Sequence, residues 1–188
     1  MNELDDLAWK YGSDKTPRIM HFYTEYYDTI LKDKKYSIKK VLELGIGSKE
    51  LMPQCPHYVV GASLRMWRDY FPNAQVYGAD ILPELMFKDE RIETILCDQS
   101  KKESLESLIK KTGNDIDLFI DDGSHRPGHQ ILTCLTLMPL LKKDVIYIIE
   151  DVGNLDIIPY FKDYDCHIVR KSRLHNRYNR LLEVKRKK

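Results

Sequence analysis

The sequence predicts an α/β protein built on a doubly wound, mostly parallel sheet, with helices ahead of it and an antiparallel hairpin closing it. Three observations predict this. Short β-type runs alternate with amphipathic stretches from Lys40 almost to the end, the pattern of strands joined by crossover helices. Two of those runs, IDLFID from Ile116 and YIIED from Tyr147, are apolar and stop abruptly in carboxylates, as buried parallel strands do where they reach a ligand-binding edge. Beyond Asp151 two further β-type runs follow one another closely and read as a hairpin. A chain of 188 residues can bury about 70% of the surface of its unfolded form, so a single Rossmann-like domain over residues 1–188 is expected, with 1–35 as a helical preface or lid and 40–188 as the core.

Taken in order, Leu4, Leu7 and Ala8 recur at helical spacing until YGSDKTP, Tyr11 to Pro17, breaks the pattern. A second helix is predicted through HFYTEYYDTIL, His21 to Leu31. Ser13 or Asp14 could cap it, or Tyr11, Asp14, Lys15 and His21 could fold over a ligand. Strands are predicted at Lys40–Glu43, Gln75–Asp80, Ile92–Cys97, Asp117–Asp121 and Val145–Glu150. Between the first two, Leu64, Trp67 and Phe71 form a helical apolar stripe, so Trp67 is read as core. A short helical piece near Asp156–Phe161 precedes the hairpin strands Cys166–Lys171 and Arg180–Lys185. Their connection, Ser172–Arg180, carries Arg, His, Asn and Tyr that could bond a polyol or phosphate, although a solvated loop is the default.

Composition excludes some classes. Thirty basic and 29 acidic residues leave a net charge of +1, so nothing points to nucleic acid or an anionic membrane surface, and the KRKK end, Lys185 to Lys188, reads as solvated. Cys55, Cys97, Cys134 and Cys166 lack the paired spacing of a zinc site or disulfide framework, which suits a reducing compartment. The sequence shows no apolar run of about 18 residues and no secretory leader. A cytoplasmic protein is expected.

The first strand and its turn read VLELGIGS, Val41 to Ser48. Gly45 and Gly47 would let the backbone pass close to a ligand, and Glu43 could accept from a cationic amino group. A dinucleotide fingerprint would need a third glycine where the chain has Glu50, which favours a cofactor without phosphates, such as S-adenosylmethionine. The second strand ends in Asp80, placed to accept from ribose hydroxyls, and the third in Asp98 and Gln99, either of which could read an adenine amino group. Acids at the ends of three successive strands are harder to dismiss as helix caps than any one of them. Ser63, just before the helix that carries Leu64, Trp67 and Phe71, is a secondary candidate.

On the other half of the same edge, strands ending at Asp121, Asp122, Glu150 and Asp151 would gather carboxylates suited to a hard divalent cation. His125 leaves the same strand as Asp122 and could accept a proton at neutral pH. His129 follows one turn later, where packing or solvent is the better reading, and Asp121 would face the cofactor or the opposite side.

Together YGSDK, ELGIGS, GASLRMWRDYFPNA, IDDGSH and IIED resemble the metal-dependent sugar O-methyltransferases of macrolide antibiotic biosynthesis, over about Leu7 to Asp151. The resemblance implies a class I methyltransferase using S-adenosylmethionine and Mg2+, or another hard divalent cation. It implies Asp122, Glu150 and Asp151 as metal ligands, His125 as base, and a hydroxyl of a free, nucleotide-linked or glycosidic sugar as acceptor. Longer members carry an amino-terminal oligomerisation region with no counterpart in this sequence, so a homo-oligomer is left open. The residues suit this chemistry, since a sugar hydroxyl is a poor nucleophile until deprotonated or polarised. Two alternatives stand beside it: a catechol-like acceptor, whose phenol pKa near 10 makes a base less necessary, and a cofactor-binding module without turnover. No His-rich facial triad for iron is present.

Overall fold

The computed structural model describes residues 2–55, 57–170 and 179–187. It contains one eight-stranded sheet in the order β3-β4-β2-β1-β5-β6-β8-β7. The strands are β1 Lys40–Leu44, β2 Gln75–Asp80, β3 Lys88–Asp89, β4 Ile92–Leu96, β5 Leu118–Asp121, β6 Ile146–Ile149, β7 Tyr164–Arg170 and β8 Arg180–Arg186. β4, β2, β1, β5 and β6 run parallel. β8 turns antiparallel against β6, and β7 pairs antiparallel with β8. The expected architecture is therefore present, with strand ends differing by a residue or two. β3 was not expected; its two exposed residues are too few for alternation to show in a sequence.

Strand side chains alternate between the faces, and the core is accordingly double. Leu42, Leu44, Phe119, Tyr147 and Ile149 pack with Leu105, Leu108, Cys134 and Leu137 from α4 Lys102–Thr112 and α5 Pro127–Leu137. On the opposite face Val41, Val76, Leu118, Ile120 and Ile148 meet α1 Glu3–Tyr11, α2 Tyr23–Leu31 and α3 Ala62–Tyr70. Burying both faces explains why the strands read as continuous apolar runs.

The helices follow from local chemistry. α1 starts where the Asn2 side chain accepts from the Asp5 amide and stops at Gly12, whose φ of 76° is left-handed. α3 buries Leu64 and Trp67 completely, and Phe71, just past its end, is completely buried as well. After β6, Asn154 caps a 3-10 turn, Leu155–Phe161, close to the predicted helical piece.

From β1 the chain moves outward through β2 to β4, then returns to place β5 on the other side of β1. The turns leaving β1 and β5 thus lie side by side at a reversal of strand order, the usual ligand crevice of such sheets. The Asp122 amide donates to the Leu44 carbonyl at 2.9 Å. Gly45 has φ 91°, and a Cβ there would stand 2.0 Å from the Asp122 carbonyl oxygen. Only glycine lets these turns touch.

Candidate active site

The edge beyond β1, β2, β4, β5 and β6 gathers the predicted residues in two halves. β5 and β6 pair with Asp121 opposite Ile149, so Asp121–Asp122 and Glu150–Asp151 emerge from neighbouring strands. Side-chain ligand atoms of Asp122, His125 and Asp151 lie within 4.8 Å of one another. His125 Nε2 stands 3.1 Å from Asp122 Oδ1 and 3.7 Å from Asp151 Oδ2. His125 and Asp151 both have left-handed backbones, φ 56° and 49°, a conformation that non-glycine residues adopt sparingly and that recurs at functional sites.

Glu150 is turned away from this trio. It is buried, with Oε1 accepting from the Tyr27 hydroxyl at 2.5 Å and Oε2 from Lys15 Nζ at 2.6 Å. Lys15 also lies 2.6 Å from Asp122 Oδ2 and 3.2 Å from Glu43 Oε1. The chain thus brings one ammonium into contact with acids from both halves of the edge. Asp151 Oδ1 accepts from the Tyr23 hydroxyl at 2.5 Å. His21, stacked on Tyr23 with ring centroids 4.6 Å apart, sits 3.9 Å from Asp151 Oδ1 and 3.7 Å from Asp14 Oδ2. Of the lid set suggested by YGSDK, Asp14, Lys15 and His21 reach the site, whereas Tyr11 turns aside to Asp69 at 2.5 Å.

Electrostatics follow from this burial. Desolvation is the largest influence on the Lys15 ammonium and acts to lower its pKa, yet the charges of Asp122, Glu150 and Glu43 together hold it well above the usual range. Burial, aided by the charges of Asp122 and Glu43, raises Glu150 well above an ordinary carboxylate despite Lys15. Burial would raise Asp122 also, but Lys15 and His125 outweigh it and keep the group ionised. His125 is pulled down by burial and up, more strongly, by its hydrogen bond to Asp122 and by the charges of Asp122 and Asp151, ending at about 9.

On the other half, Glu43 is fully buried: Oε2 accepts from Trp67 Nε1 at 2.6 Å, and the Ser63 hydroxyl also bonds the carboxylate. Trp67 is core, as its stripe suggested, but with this polar contact in addition. Asp80 accepts from the Ile46 amide at 2.9 Å and the Leu82 amide at 3.1 Å, holding the glycine turn from β2. Gly47 has φ 76°, and a Cβ there would lie 2.7 Å from the Tyr58 hydroxyl. Internal packing therefore already calls for glycine at positions 45 and 47, before any ligand is considered.

Two expectations take a different form. Asp98 bonds the Ser100 amide at 3.0 Å and hydroxyl at 2.6 Å and pairs with Lys101, the capping geometry of a polar turn. The Gln99 amide faces inward, donating to Asp121 Oδ1 at 2.6 Å and accepting from the Ser124 amide at 2.9 Å. Gln99 thereby braces the DDGSH turn. Asp121 is buried, its carboxyl pushed up by burial to about 6 despite the Gln99 and Gly123 hydrogen bonds, and its Oδ2 has no hydrogen-bond partner among the described residues. His129 Nδ1 lies 2.8 Å from the Ser124 hydroxyl. Residues 172–178 of the hairpin connection lie outside the described residues.

The donor sets fit both groups the sequence implied. Four carboxylates, Glu43, Asp122, Glu150 and Asp151, face two cationic groups, Lys15 and His125, and the Lys15 ammonium stands among oxygens that suit a hard cation. Beside the glycine turn, the buried Asp121 Oδ2, without a hydrogen-bond partner among the described residues, offers a further acceptor to a polar ligand.

This sheet order and edge are those of a class I S-adenosylmethionine-dependent methyltransferase fold. Among curated proteins, the chain is similar to sugar O-methyltransferases of macrolide and polyketide biosynthesis. Mycinamicin VI 2''-O-methyltransferase of Micromonospora griseorubida is 34% identical over 150 residues, 80% of this chain and 36% of the relative. An 8-demethyl-8-alpha-L-rhamnosyl tetracenomycin-C 2'-O-methyltransferase of Streptomyces olivaceus is 36% identical over 149 residues, 79% of this chain and 37% of the relative. The chain spans little more than a third of the length of these relatives. The solved structure of the MycE methyltransferase of mycinamycin biosynthesis, with Mg and SAH, superposes at a TM-score of 0.78 with 26% identity, covering 98% of this chain and 55% of that one. No protein-family model matches the chain.

Proposed function

We propose that the chain is an O-methyltransferase that moves the methyl group of S-adenosylmethionine to a sugar hydroxyl with the help of Mg2+ or a similar cation, residues 1–188 acting as one domain with 1–35 as its lid. The observation that carries this reading is the convergence of Asp122, His125 and Asp151 within 4.8 Å, beside the glycine turn at the sheet's reversal point. Asp122 and Asp151, joined by Glu150, would hold the metal. When bound, the metal supplies Lewis acidity that makes an acceptor hydroxyl easier to deprotonate. His125 would take the hydroxyl proton at Nε2, and the acids that hold it protonated in the metal-free chain would have their charge offset by the cation. Glu43, Ser63, Gly45 and Gly47, with Asp80 and Asp121, would form the donor side, Asp80 and the glycines chiefly through the turn they shape. Asp98 and Gln99 flank that side, Gln99 acting through Asp121.

A cleft of about 270 Å3 between α2 and the β7–β8 hairpin, lined by Phe22, Tyr26, Val169 and Leu181 among others, adjoins Tyr23 and hence Asp151. Its aromatic wall suits the remainder of a glycoside whose sugar lies at the acids. The relatives named for glycosylated macrolides and tetracenomycins support that acceptor class. A screen of free sugars, sugar nucleotides and glycosides with labelled donor, read by mass spectrometry with and without Mg2+, tests the reading. Transfer to a sugar hydroxyl that stops on chelation is expected, and transfer that a chelator leaves undiminished contradicts the metal role. Transfer to catechols alone, with His125→Ala almost as active, would favour the phenolic alternative.

A further inference from the structure

Lys15 touches two of the three acids proposed to hold the metal, Asp122 and Glu150, and its contacts carry an inference that rests on the metal-dependent reading above. It leaves the polar turn between α1 and α2, whose backbone is pinned by the Thr24 amide donating to the Lys15 carbonyl at 3.1 Å. Its side chain runs inward until it is 1% exposed. The ammonium touches Asp122 Oδ2, Glu150 Oε2 and Glu43 Oε1. With Tyr27 on the other oxygen of Glu150, both oxygens of that acid are engaged. Asp122 divides its oxygens between Lys15 and His125. Glu150 and Asp122 therefore cannot both become metal ligands through these Lys15-facing oxygens without loosening the lysine.

We propose that Lys15 is a positioning residue, an internal counter-ion that holds the carboxylates of the metal site together before the metal binds and then yields Asp122 and Glu150 to it while keeping Glu43. Buried carboxylates left without a cation would repel one another or take up protons. An ammonium on a flexible four-carbon stem has three rotatable donors and little geometric demand, so it can move from three partners to one without leaving the site. Because Glu43 lies on the donor side, the same movement connects the metal half of the edge to the donor half.

The test uses the metal-free protein and Mn2+ titrations followed by calorimetry. Removing the competing cation in Lys15→Met should tighten Mn2+ binding at least about tenfold, ~1.4 kcal/mol, and should make the variant's Tm rise further on Mn2+ addition than that of the wild type. Equal or weaker Mn2+ affinity in folded Lys15→Met overturns the exchange. Should that variant not fold without metal, the wild type still decides the matter. Its Lys15 ammonium 15N resonance should move when Mg2+ saturates the site, and a resonance that stays in place overturns the proposal. A wild type that binds neither cation overturns the metal-dependent reading itself, an outcome distinct from metal binding that ignores Lys15.

Discussion

His125 has the chemistry of a base and, in the metal-free chain, the charge of an acid. Asp122 and Asp151 hold it at about 9, so at neutral pH its imidazole already carries the proton that a base must accept. Metal-free protein should therefore show a His125 Cε1 proton titrating near pH 9, and a midpoint near the ordinary ~6.5 would contradict the geometry. The sign for stability follows: a folded pKa above the unfolded value gives stabilisation that is full below about 6.5 and lost as pH rises through about 9. His125→Ala should lower turnover by roughly 10²–10⁴-fold while binding of S-adenosylhomocysteine, read by calorimetry, is retained. Glu43 shows the structural side of the same edge. Trp67→Phe would leave its buried Oε2 without the indole donor and should cost about 1–3 kcal/mol in denaturant unfolding; an unchanged midpoint would show that the bond contributes nothing.

At the scale of elements, the edge depends on two turns that touch. Gly45 lies against the Asp122 carbonyl with a left-handed backbone, so Gly45→Ala meets both a steric clash and an unfavourable φ. It should destabilise the fold by more than about 1 kcal/mol and displace the DDGSH turn, seen as a fall in Tm together with weakened metal binding. These two turns were legible in the sequence because an apolar run that ends abruptly in glycines or acids marks a strand and its exit. Lys15 was less legible. It was one member of a suggested lid, and a lysine in a polar turn carries no periodicity to reveal that it would bury itself against Asp122 and Glu150, 107 and 135 residues away. The same distance in sequence hid Tyr27 and Tyr23, which read as one more amphipathic helix until α2 was seen to direct their hydroxyls at Glu150 and Asp151. The contacts of Gln99 were hidden for a related reason: an amide after a strand can face a ligand or the next turn, and its bonds to Asp121 and Ser124 depend on β5, which arrives later in the chain.

Across the whole molecule, the sheet reverses between β1 and β5, so residues separated by most of the chain meet at one edge. The N-terminal helices close that edge from one side with Lys15, His21, Tyr23 and Tyr27, and both sheet faces are buried beneath helices. The proposed donor-side groups come from β1, β2 and α3 with Asp121 at the end of β5, and the proposed metal-side groups from the turns that leave β5 and β6. This division predicts two separable ligand sites. The most direct test is calorimetry of Asp122→Ala with S-adenosylhomocysteine and with Mn2+. We expect S-adenosylhomocysteine to bind as it does to the wild type while Mn2+ binding and methyl transfer are lost. Mn2+ binding as strong as in the wild type would contradict the assignment of the β5–β6 acids to the metal.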